Sequence, residues 1–307
     1  MSASPARRLW TIVLAGGDGV RLRQLTRALH GEERPKQFAM IHGGRSLLQA
    51  TVARASRWSA PEHIVVVVAE EREALARMQL RDCGSVQVVA QPSNRGTGPG
   101  ILLPLSRVFA QDPDAQVVIL PSDHYVRDEE PFERTISRAL AASGEQIALV
   151  GAVPNQPETQ YGWIVTGRGR GTSQSVVVRF CEKPPQALAE RLWRNGALWN
   201  TFVMVGTARR FWQLGAEHLP LQTALFDVYR EVVGTPGEGR VLRQIYADMP
   251  VADFSSDVLQ KARDLGVVPL HDCGWSDWGT PERVLESLRD HSDYDVISSR
   301  LITAHAC

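Results

Sequence analysis

Leu14-Ala15-Gly16-Gly17-Asp18-Gly19-Val20-Arg21-Leu22-Arg23-Gln24-Leu25-Thr26, with Arg34-Pro35-Lys36-Gln37-Phe38 shortly after it, is the stretch that decides the fold of this chain. The apolar run Thr11 to Ala15 reads as a short buried strand that stops at Gly16, Gly17 and Gly19. Glycine has no side chain to hold a ligand off and tolerates positive φ, so successive N–H groups can converge on phosphate oxygens. Arg21 and Lys36 add fixed positive charge at the same mouth. Two common phosphate motifs are excluded. A Walker loop ends in Gly-Lys-Ser/Thr, whereas Gly19 is followed by Val20-Arg21; a dinucleotide fingerprint needs a third glycine where this chain has Leu22. Taken alone, the stretch fits a strand and a glycine turn with two solvated basic residues as well as it fits a phosphate cradle.

At 307 residues the chain is long enough for one large α/β domain. Its 34 basic and 34 acidic side chains give a formal net charge of +0. That balance argues against nucleic-acid or membrane partners and for charge organised locally in a cleft. Cys83, Cys181, Cys273 and Cys307 lie far apart without metal-ligand spacing, so free thiols in a reducing compartment are expected. The first ten residues lack the apolar core of a signal peptide and no run reaches membrane-spanning length, so the expected location is cytoplasmic.

Strand and helix patterns alternate through the first half. Ser46 to Arg57 has helical spacing, His63 to Ala69 is a continuous β-branched run, Glu70 to Arg81 is a charged helix and Val86 to Ala90 a strand. A helix over Ile101 to Ala110 follows, with Pro99 and Pro104 obscuring its start. Gln116 to Leu120 is a strand ending in Pro121-Ser122-Asp123-His124, Phe132 to Ala142 a helix, and Ile147 to Val153 a strand. This order predicts an α/β fold with a doubly wound, mostly parallel sheet whose loops 16–26, 91–98 and 121–125 share one edge. The second half is less regular. Strands at Tyr161–Val165 and Val176–Phe180 flank a hairpin at Gly167–Ser175, followed by a helix from Pro185 and a strand from Trp199 to Val205. Helices dominate from Thr207 to about Asp264, then a strand from Gly266 and a helix from Thr280 to about Asp290.

The Gly-Gly-x-Gly-x-Arg-Leu run with Pro-Lys downstream resembles the signature of sugar-1-phosphate nucleotidyltransferases, and Pro35-Lys36-Gln37-Phe38 is most similar to the mannose-1-phosphate guanylyltransferase branch. Further stretches match that family in order. Gln91-Pro92-Ser93-Asn94-Arg95-Gly96-Thr97 resembles its base loop and Pro121-Ser122-Asp123-His124 its metal loop. Tyr161-Gly162-Trp163-Ile164, Phe180-Cys181-Glu182-Lys183-Pro184, Trp199-Asn200-Thr201-Phe202 and Trp275-Ser276-Asp277-Trp278-Gly279 also have counterparts. The resemblance implies a Rossmann-like nucleotidyltransferase fold with a mixed sugar-binding half. Residues 1–290 would then form a single domain: a nucleotide-binding half over about 10–155, a sugar-phosphate half over about 156–290, and a C-terminal tail at 291–307. No room is expected for a β-helix or isomerase domain after the last helix.

The activity so implied is attack of a sugar 1-phosphate on the α-phosphorus of a nucleoside triphosphate, with pyrophosphate leaving. The nucleophile is already an anion, so positioning and charge neutralisation should dominate over general-base catalysis. The resemblance assigns Arg21, Lys36, Asp123, Lys183 and Asp277 to catalysis, with Asp123 and Asp277 sharing Mg²⁺. It assigns Leu14, Ala15, Gly16, Gly17, Gly19, Gln91, Arg95, Gly96 and Thr97 to the nucleotide, and Gly162, Glu182 and Asn200 to the sugar. GTP and mannose 1-phosphate are the favoured partners, a uridylyl or thymidylyl transfer to glucose 1-phosphate the alternative; a homodimer stays open. A non-catalytic sugar-nucleotide-binding regulator is the rival of another class, disfavoured by retention of the two aspartates. His124 reads as structural, and Trp163 as core with a lesser claim to be a sugar platform. Departures from the family pattern occur at Val20 (usually Thr), Gln91 (Glu), Gly96 (Asn) and Thr201-Phe202 (Ser-Gly). They make base and sugar less secure than reaction type.

Overall fold

A computed structural model describes residues 8–144, 146–167 and 174–305. The elements run β1 (Leu9–Ala15), α1 (Arg23–His30), α2 (Leu47–Ala55), β2 (Ile64–Ala69), α3 (Glu73–Leu80), β3 (Gln87–Gln91), α4 (Thr97–Gln111), β4 (Gln116–Pro121), α5 (Glu129–Ser143) and β5 (Ile147–Ala152). They continue with β6 (Trp163–Gly167), β7 (Ser175–Cys181), α6 (Gln186–Arg194), β8 (Leu198–Thr207), α7 (Ala208–His218), α8 (Pro220–Arg230), α9 (Glu238–Ala247), β9 (Leu265–Leu270), α10 (Pro281–Leu288) and α11 (Tyr294–His305). A π-helical turn spans Phe254–Leu259.

Among the described residues all nine strands join one sheet in the order β3-β2-β1-β4-β8-β5-β9-β7-β6, with β6 also pairing β8. The first four strands are mutually parallel, as their β-branched runs predict. Alternate residues feed two apolar layers. Ile12, Val65, Val67 and Ile119 pack beneath α4 and α7–α9, while Val13, Val66, Val68 and Leu120 pack beneath α2, α3 and α5. β8 then enters antiparallel between β4 and β5, which makes the second half mixed.

Two boundaries differ from the sequence reading. α4 begins at Thr97, with Pro99 in its first turn, where no amide donor is needed, and Pro104 inside it. Burial of Ile101, Leu102, Leu103 and Leu105 offsets the ladder bond that Pro104 removes. β6 starts at Trp163, leaving Tyr161 and Gly162 in the loop before it. Most of the hairpin expected at Gly167–Ser175 lies outside the described residues, as do Arg7 and Cys307; Cys83, Cys181 and Cys273 are free thiols.

The stretch 291–307, expected to be a tail, contains α11. Its Ile297 and Leu301 are 1% and 4% exposed in a cluster with Leu22, Leu25, Trp278 and Leu288. α1 has no capping side chain at its start and only two buried side chains, Leu25 and Thr26, so its order comes from this packing. Ile297→Ala is therefore expected to cost about 2–3 kcal/mol. Urea unfolding read by circular dichroism checks this, and a loss near zero would make 291–307 the tail the sequence suggested.

Candidate active site

β1 lies between β2 and β4, so the chain leaves it in opposite directions and a crevice opens at the carboxyl ends of β1 and β4. Leu14 pairs with Pro121 across that crevice. Both the amide and the hydroxyl of Ser122 donate to the Leu14 carbonyl, at 2.9 and 2.7 Å, which staples the Asp123 loop beside the glycine turn. Gln37, 2% exposed, donates from Nε2 to the carbonyls of Ala15 (3.0 Å) and Gly17 (2.6 Å). The turn is thereby held with those carbonyls drawn inward. Gly19 has φ +59°, and a Cβ there would stand 2.6 Å from the Lys36 amide, so no other residue fits the closure of the turn on the Pro35-Lys36 segment.

The cationic centre is Lys36. It is 4% exposed, its ammonium lies 3.0 Å from Asp123 Oδ2, and it donates to the backbone carbonyl of Asp277. Asp277 is itself 7% exposed. Its Oδ1 accepts from the Tyr161 hydroxyl (2.5 Å), the Gly279 amide (2.9 Å) and Arg283 Nη1 (2.8 Å), while Oδ2 faces Arg21 Nη2 at 3.6 Å. Burial alone would push both carboxyls up. For Asp123 the Lys36 ammonium outweighs it; for Asp277 the Tyr161 hydrogen bond, Lys36 and Arg283 do. Both are held below the usual carboxylate range and stay ionised at neutral pH. Burial lowers His124 and keeps it neutral; its ring meets Trp275 edge-on at 5.3 Å.

The two aspartates expected to share a cation thus converge on one lysine. Asp277 Oδ2 and the half-exposed Asp123 carboxylate remain as hard oxygen donors. Among the described residues no group of three or more His, Cys, Asp or Glu converges. A cation here would take two protein carboxylates and complete its shell with water and phosphate, the mode that suits Mg²⁺.

Most expected nucleotide residues line one cleft of about 380 Å³: Leu14, Gly16, Gly17, Gln91, Gly96 and Thr97, with Asp123 on its rim. The Thr97 hydroxyl donates to Asp253 Oδ2 at 2.9 Å, tying the base loop to the segment that precedes the π-helical turn. Gln91 is 6% exposed; its Oε1 accepts from the Tyr246 hydroxyl at 3.2 Å and its Nε2 lies against Gly16. Arg95 does not line the cleft. It donates to the carbonyls of Tyr246 and Ala247 at the carboxyl end of α9, where the helix dipole favours a cation.

The expected sugar residues form a neighbouring group. A Cβ on Gly162 would fall 2.8 Å from Glu182 Oε2 and 3.3 Å from the Asn200 Cβ, and the Asn200 amide donates to the Gly162 carbonyl at 2.8 Å. Burial raises the Glu182 carboxyl. Trp163 is fully buried and donates to the Glu158 carbonyl, so it is core and no sugar platform. Lys183 is exposed with positive φ, 3.8 Å from Glu182, and among the described residues no contact joins it to the glycine turn. The link between the two groups is Tyr161, whose hydroxyl reaches Asp277 and whose carbonyl accepts from the Lys183 amide at 3.2 Å. Sequence reasoning quoted Tyr161 without giving it a role, and it missed Arg283, which also pairs with Glu158 and stacks over the Tyr161 ring at 4.7 Å.

Phe202 stands in the same cleft with φ +59°. The β5–β8 register shifts at Val150/Gly151, and three bonds fix the kink: Phe202 N to Asn200 Oδ1 (3.1 Å), Thr201 Oγ1 to the Val150 carbonyl (2.6 Å) and Val203 N to Thr201 Oγ1 (3.2 Å).

A glycine turn at a parallel-sheet switch point thus faces a buried lysine and two ionised aspartates. The chain belongs to the nucleotidyl transferase family, whose sequence profile matches residues 10–293. It is 35% identical over 293 residues to the xanthan biosynthesis protein XanB of Xanthomonas campestris pv. campestris strain B100, covering 92% of this chain and 59% of that one. It is 28% identical over 287 residues to the mannose-1-phosphate guanylyltransferase of Escherichia coli K12, covering 89% of this chain and 58% of the relative. Among solved structures it resembles one described as a mannose-1-phosphate geranyltransferase from Thermus thermophilus, with TM-score 0.80 and 28% identity over 92% of this chain and 79% of that one. The chain therefore spans about six-tenths of the length of these curated relatives.

The strained backbone at Phe202 has a direct test. In ordinary strand alanine is the more stable replacement, but at positive φ the order inverts. Phe202→Gly is expected to be more stable than Phe202→Ala by about 1 kcal/mol in urea unfolding; the reverse order would place residue 202 in ordinary extended backbone.

Proposed function

We propose that this chain transfers a nucleotidyl group from a nucleoside triphosphate to a hexose 1-phosphate, with GTP and mannose 1-phosphate giving GDP-mannose and pyrophosphate. The observation that carries the reading is the Lys36–Asp123–Asp277 centre at the mouth of the glycine turn, joined through Tyr161 to the Gly162, Glu182 and Asn200 group. The relatives' names, as mannose-1-phosphate guanylyltransferases, support the guanylyl and mannosyl choice.

The residues have the following work. Amides of the glycine turn hold the triphosphate, and Lys36 and Arg21 neutralise the pyrophosphate as it leaves. Glu182, Asn200 and the Gly162 backbone take sugar hydroxyls; Lys183, on a long side chain at the rim, reaches the sugar phosphate as a point charge. No side chain removes a proton from the nucleophile, which enters as an anion, and the neutral His124 stays a packing residue beside Trp275. Asp123 and Asp277 would hold Mg²⁺, which would supply charge neutralisation to the phosphates. Tyr161 and Arg283 hold Asp277 still for that purpose. No helix among the described residues is long and apolar enough to cross a membrane. We place the activity in the cytoplasm, the reducing compartment that the free thiols of Cys83, Cys181 and Cys273 suit.

A panel of nucleoside triphosphates against hexose 1-phosphates, read by pyrophosphate release, is expected to show GTP with mannose 1-phosphate as the best pair. A preference for UTP or dTTP with glucose 1-phosphate would replace the guanylyl reading by the uridylyl or thymidylyl one. Asp123→Asn is expected to lower kcat by at least about a hundredfold while GTP binding changes little, the signature of lost transition-state charge stabilisation. An unchanged kcat would remove the metal role.

The Gln91–Tyr246 bond makes a further prediction. The Tyr246 hydroxyl takes one of the two lone pairs of Gln91 Oε1, and what is left is a neutral amide acceptor, weaker towards the guanine 2-amino group than a carboxylate would be. GTP and ITP should then be used within about threefold of each other, whereas Gln91→Glu should favour GTP by about tenfold, the scale of one recognised hydrogen bond to a charged group. Strong rejection of ITP by the unaltered protein would mean another acceptor reads the amino group.

A further inference from the structure

We infer that the π-helical turn Phe254–Leu259 is a strut between the two substrate groups: it carries Gln260 as a positioning residue for Glu182 and Lys183, and it makes their setting depend on the base loop. The inference rests on the nucleotidyl-transfer reading. Glu182 and Lys183 follow β7 directly, and Lys183 is held at φ +42°. A side chain in that conformation lasts only where its neighbours over-determine it. Two successive amides supply the constraint. That of Glu182 donates to Gln260 Oε1 at 3.2 Å, and that of Lys183 to the Tyr161 carbonyl at 3.2 Å. Tyr161 is anchored on Asp277, whereas Gln260 comes from a separate part of the chain.

Gln260 is the residue just after the turn. The Gln260 amide donates to the Ser255 carbonyl at 2.9 Å, the i→i−5 bond of a π-turn, which brings residues 255 and 260 into register. Both then meet one partner: Gln260 takes the Glu182 amide, and the Ser255 hydroxyl faces the Glu182 carboxylate. Phe254, Ser255, Val258 and Leu259 are all buried, and packing on that scale makes the turn stiff.

At its other end the turn is zipped to the base loop. The Thr97 hydroxyl donates to Asp253 Oδ2 at 2.9 Å and accepts from the Phe254 amide at 2.7 Å. The Gly98 amide donates to the Ala252 carbonyl at 2.9 Å, and the Ala252 amide to the Arg95 carbonyl at 3.0 Å. Gly96 has φ +85°, and a Cβ there would stand 2.4 Å from the Ala252 carbonyl oxygen. The close approach thus needs glycine where the family pattern has asparagine. Asp253 Oδ1 fastens the junction by accepting from the Ser256 amide at 2.9 Å. A base seated on that loop fixes one end of a stiff piece whose other end sets two residues of the sugar group.

Steady-state kinetics and amide hydrogen exchange on the full chain test this. Gln260→Met keeps the length of an exposed side chain and removes its acceptor. It is expected to raise the KM for mannose 1-phosphate by about fivefold, the scale of one lost hydrogen bond, with the KM for GTP within about twofold of the parent. Thr97→Val, at the far end of the strut, should raise the same sugar-phosphate KM by about threefold, and Thr97→Ser, which keeps the hydroxyl, should bring it back. Exchange of the Glu182 and Lys183 amides should quicken by at least about threefold in both Gln260→Met and Thr97→Val. In the double variant the rise in sugar-phosphate KM should fall well short of the product of the two, because both act through one piece. An unchanged sugar-phosphate KM in Gln260→Met, an effect of Thr97→Val confined to GTP, or multiplied effects in the double variant would each overturn the inference. Absence of turnover by the unaltered protein on any substrate pair would instead overturn the transfer reading. Exchange then decides the strut, and parental rates at residues 182 and 183 in Thr97→Val would refute it.

Discussion

The buried ammonium of Lys36 is the constraint on which the site is built. A lysine 4% exposed is tolerated only where its charge and donors are met, and they are met by groups distant in sequence. One is the Asp123 carboxylate after β4; the other is the carbonyl of Asp277, 241 residues away after β9. Satisfying one side chain therefore brings three loops together at a single edge. The requirement propagates. Once its carbonyl is drawn to Lys36, Asp277 is buried, and its carboxylate needs the Tyr161 hydroxyl, the Gly279 amide and Arg283. Through Tyr161 the same chain of obligations reaches the Gly162–Glu182–Asn200 group.

What the sequence made legible was what depends on local pattern. Val65 to Val68 could only be a strand buried on both faces, and a glycine cluster after an apolar strand could only be a turn at the sheet edge. The family resemblance carried the aspartates and the sugar group, and the geometry brings Asp123 and Asp277 to one lysine. What could not be read depends on partners across the fold. Arg95 looked like any cation in a base loop until the end of α9 claimed it. Trp163 follows Gly162, but strand alternation turns it into the core. Arg283 sits in the helix expected from Thr280, with no family motif around it. The stretch after residue 290 lacked a strong apolar period, and only the Leu22–Leu25 surface of α1 gives Ile297 and Leu301 somewhere to go.

Several positions at the site hold conformations that side chains ordinarily avoid. Lys183, Phe202 and Trp278 have φ of +42°, +59° and +44°, and each lies within two residues of one assigned a role: Glu182, Asn200 and Asp277. Such conformations cost of order 1–3 kcal/mol each and last only where neighbours over-determine them. The neighbours are visible. Trp278 is 1% exposed, stacks on Tyr125 at 4.6 Å and donates its amide to Ser276 Oγ. Lys183 gives its amide to Tyr161, and Phe202 is fixed by the Asn200 and Thr201 side chains. Stability gathered in the apolar layers is spent on aiming three loops, which is how a site that works by positioning must be made.

The insertion of β8 between β4 and β5 governs how the molecule can be made. β4 ends at Pro121, yet the strand that covers its outer edge begins at Leu198. During synthesis the run Val117-Val118-Ile119-Leu120 has its inner edge paired to β1 and its outer edge bare until β8 emerges. An apolar edge left open in that interval is a template for pairing with other nascent chains. The nucleotide half is thus no separable module, and a ribosome stalled between these two strands would release an aggregation-prone fragment.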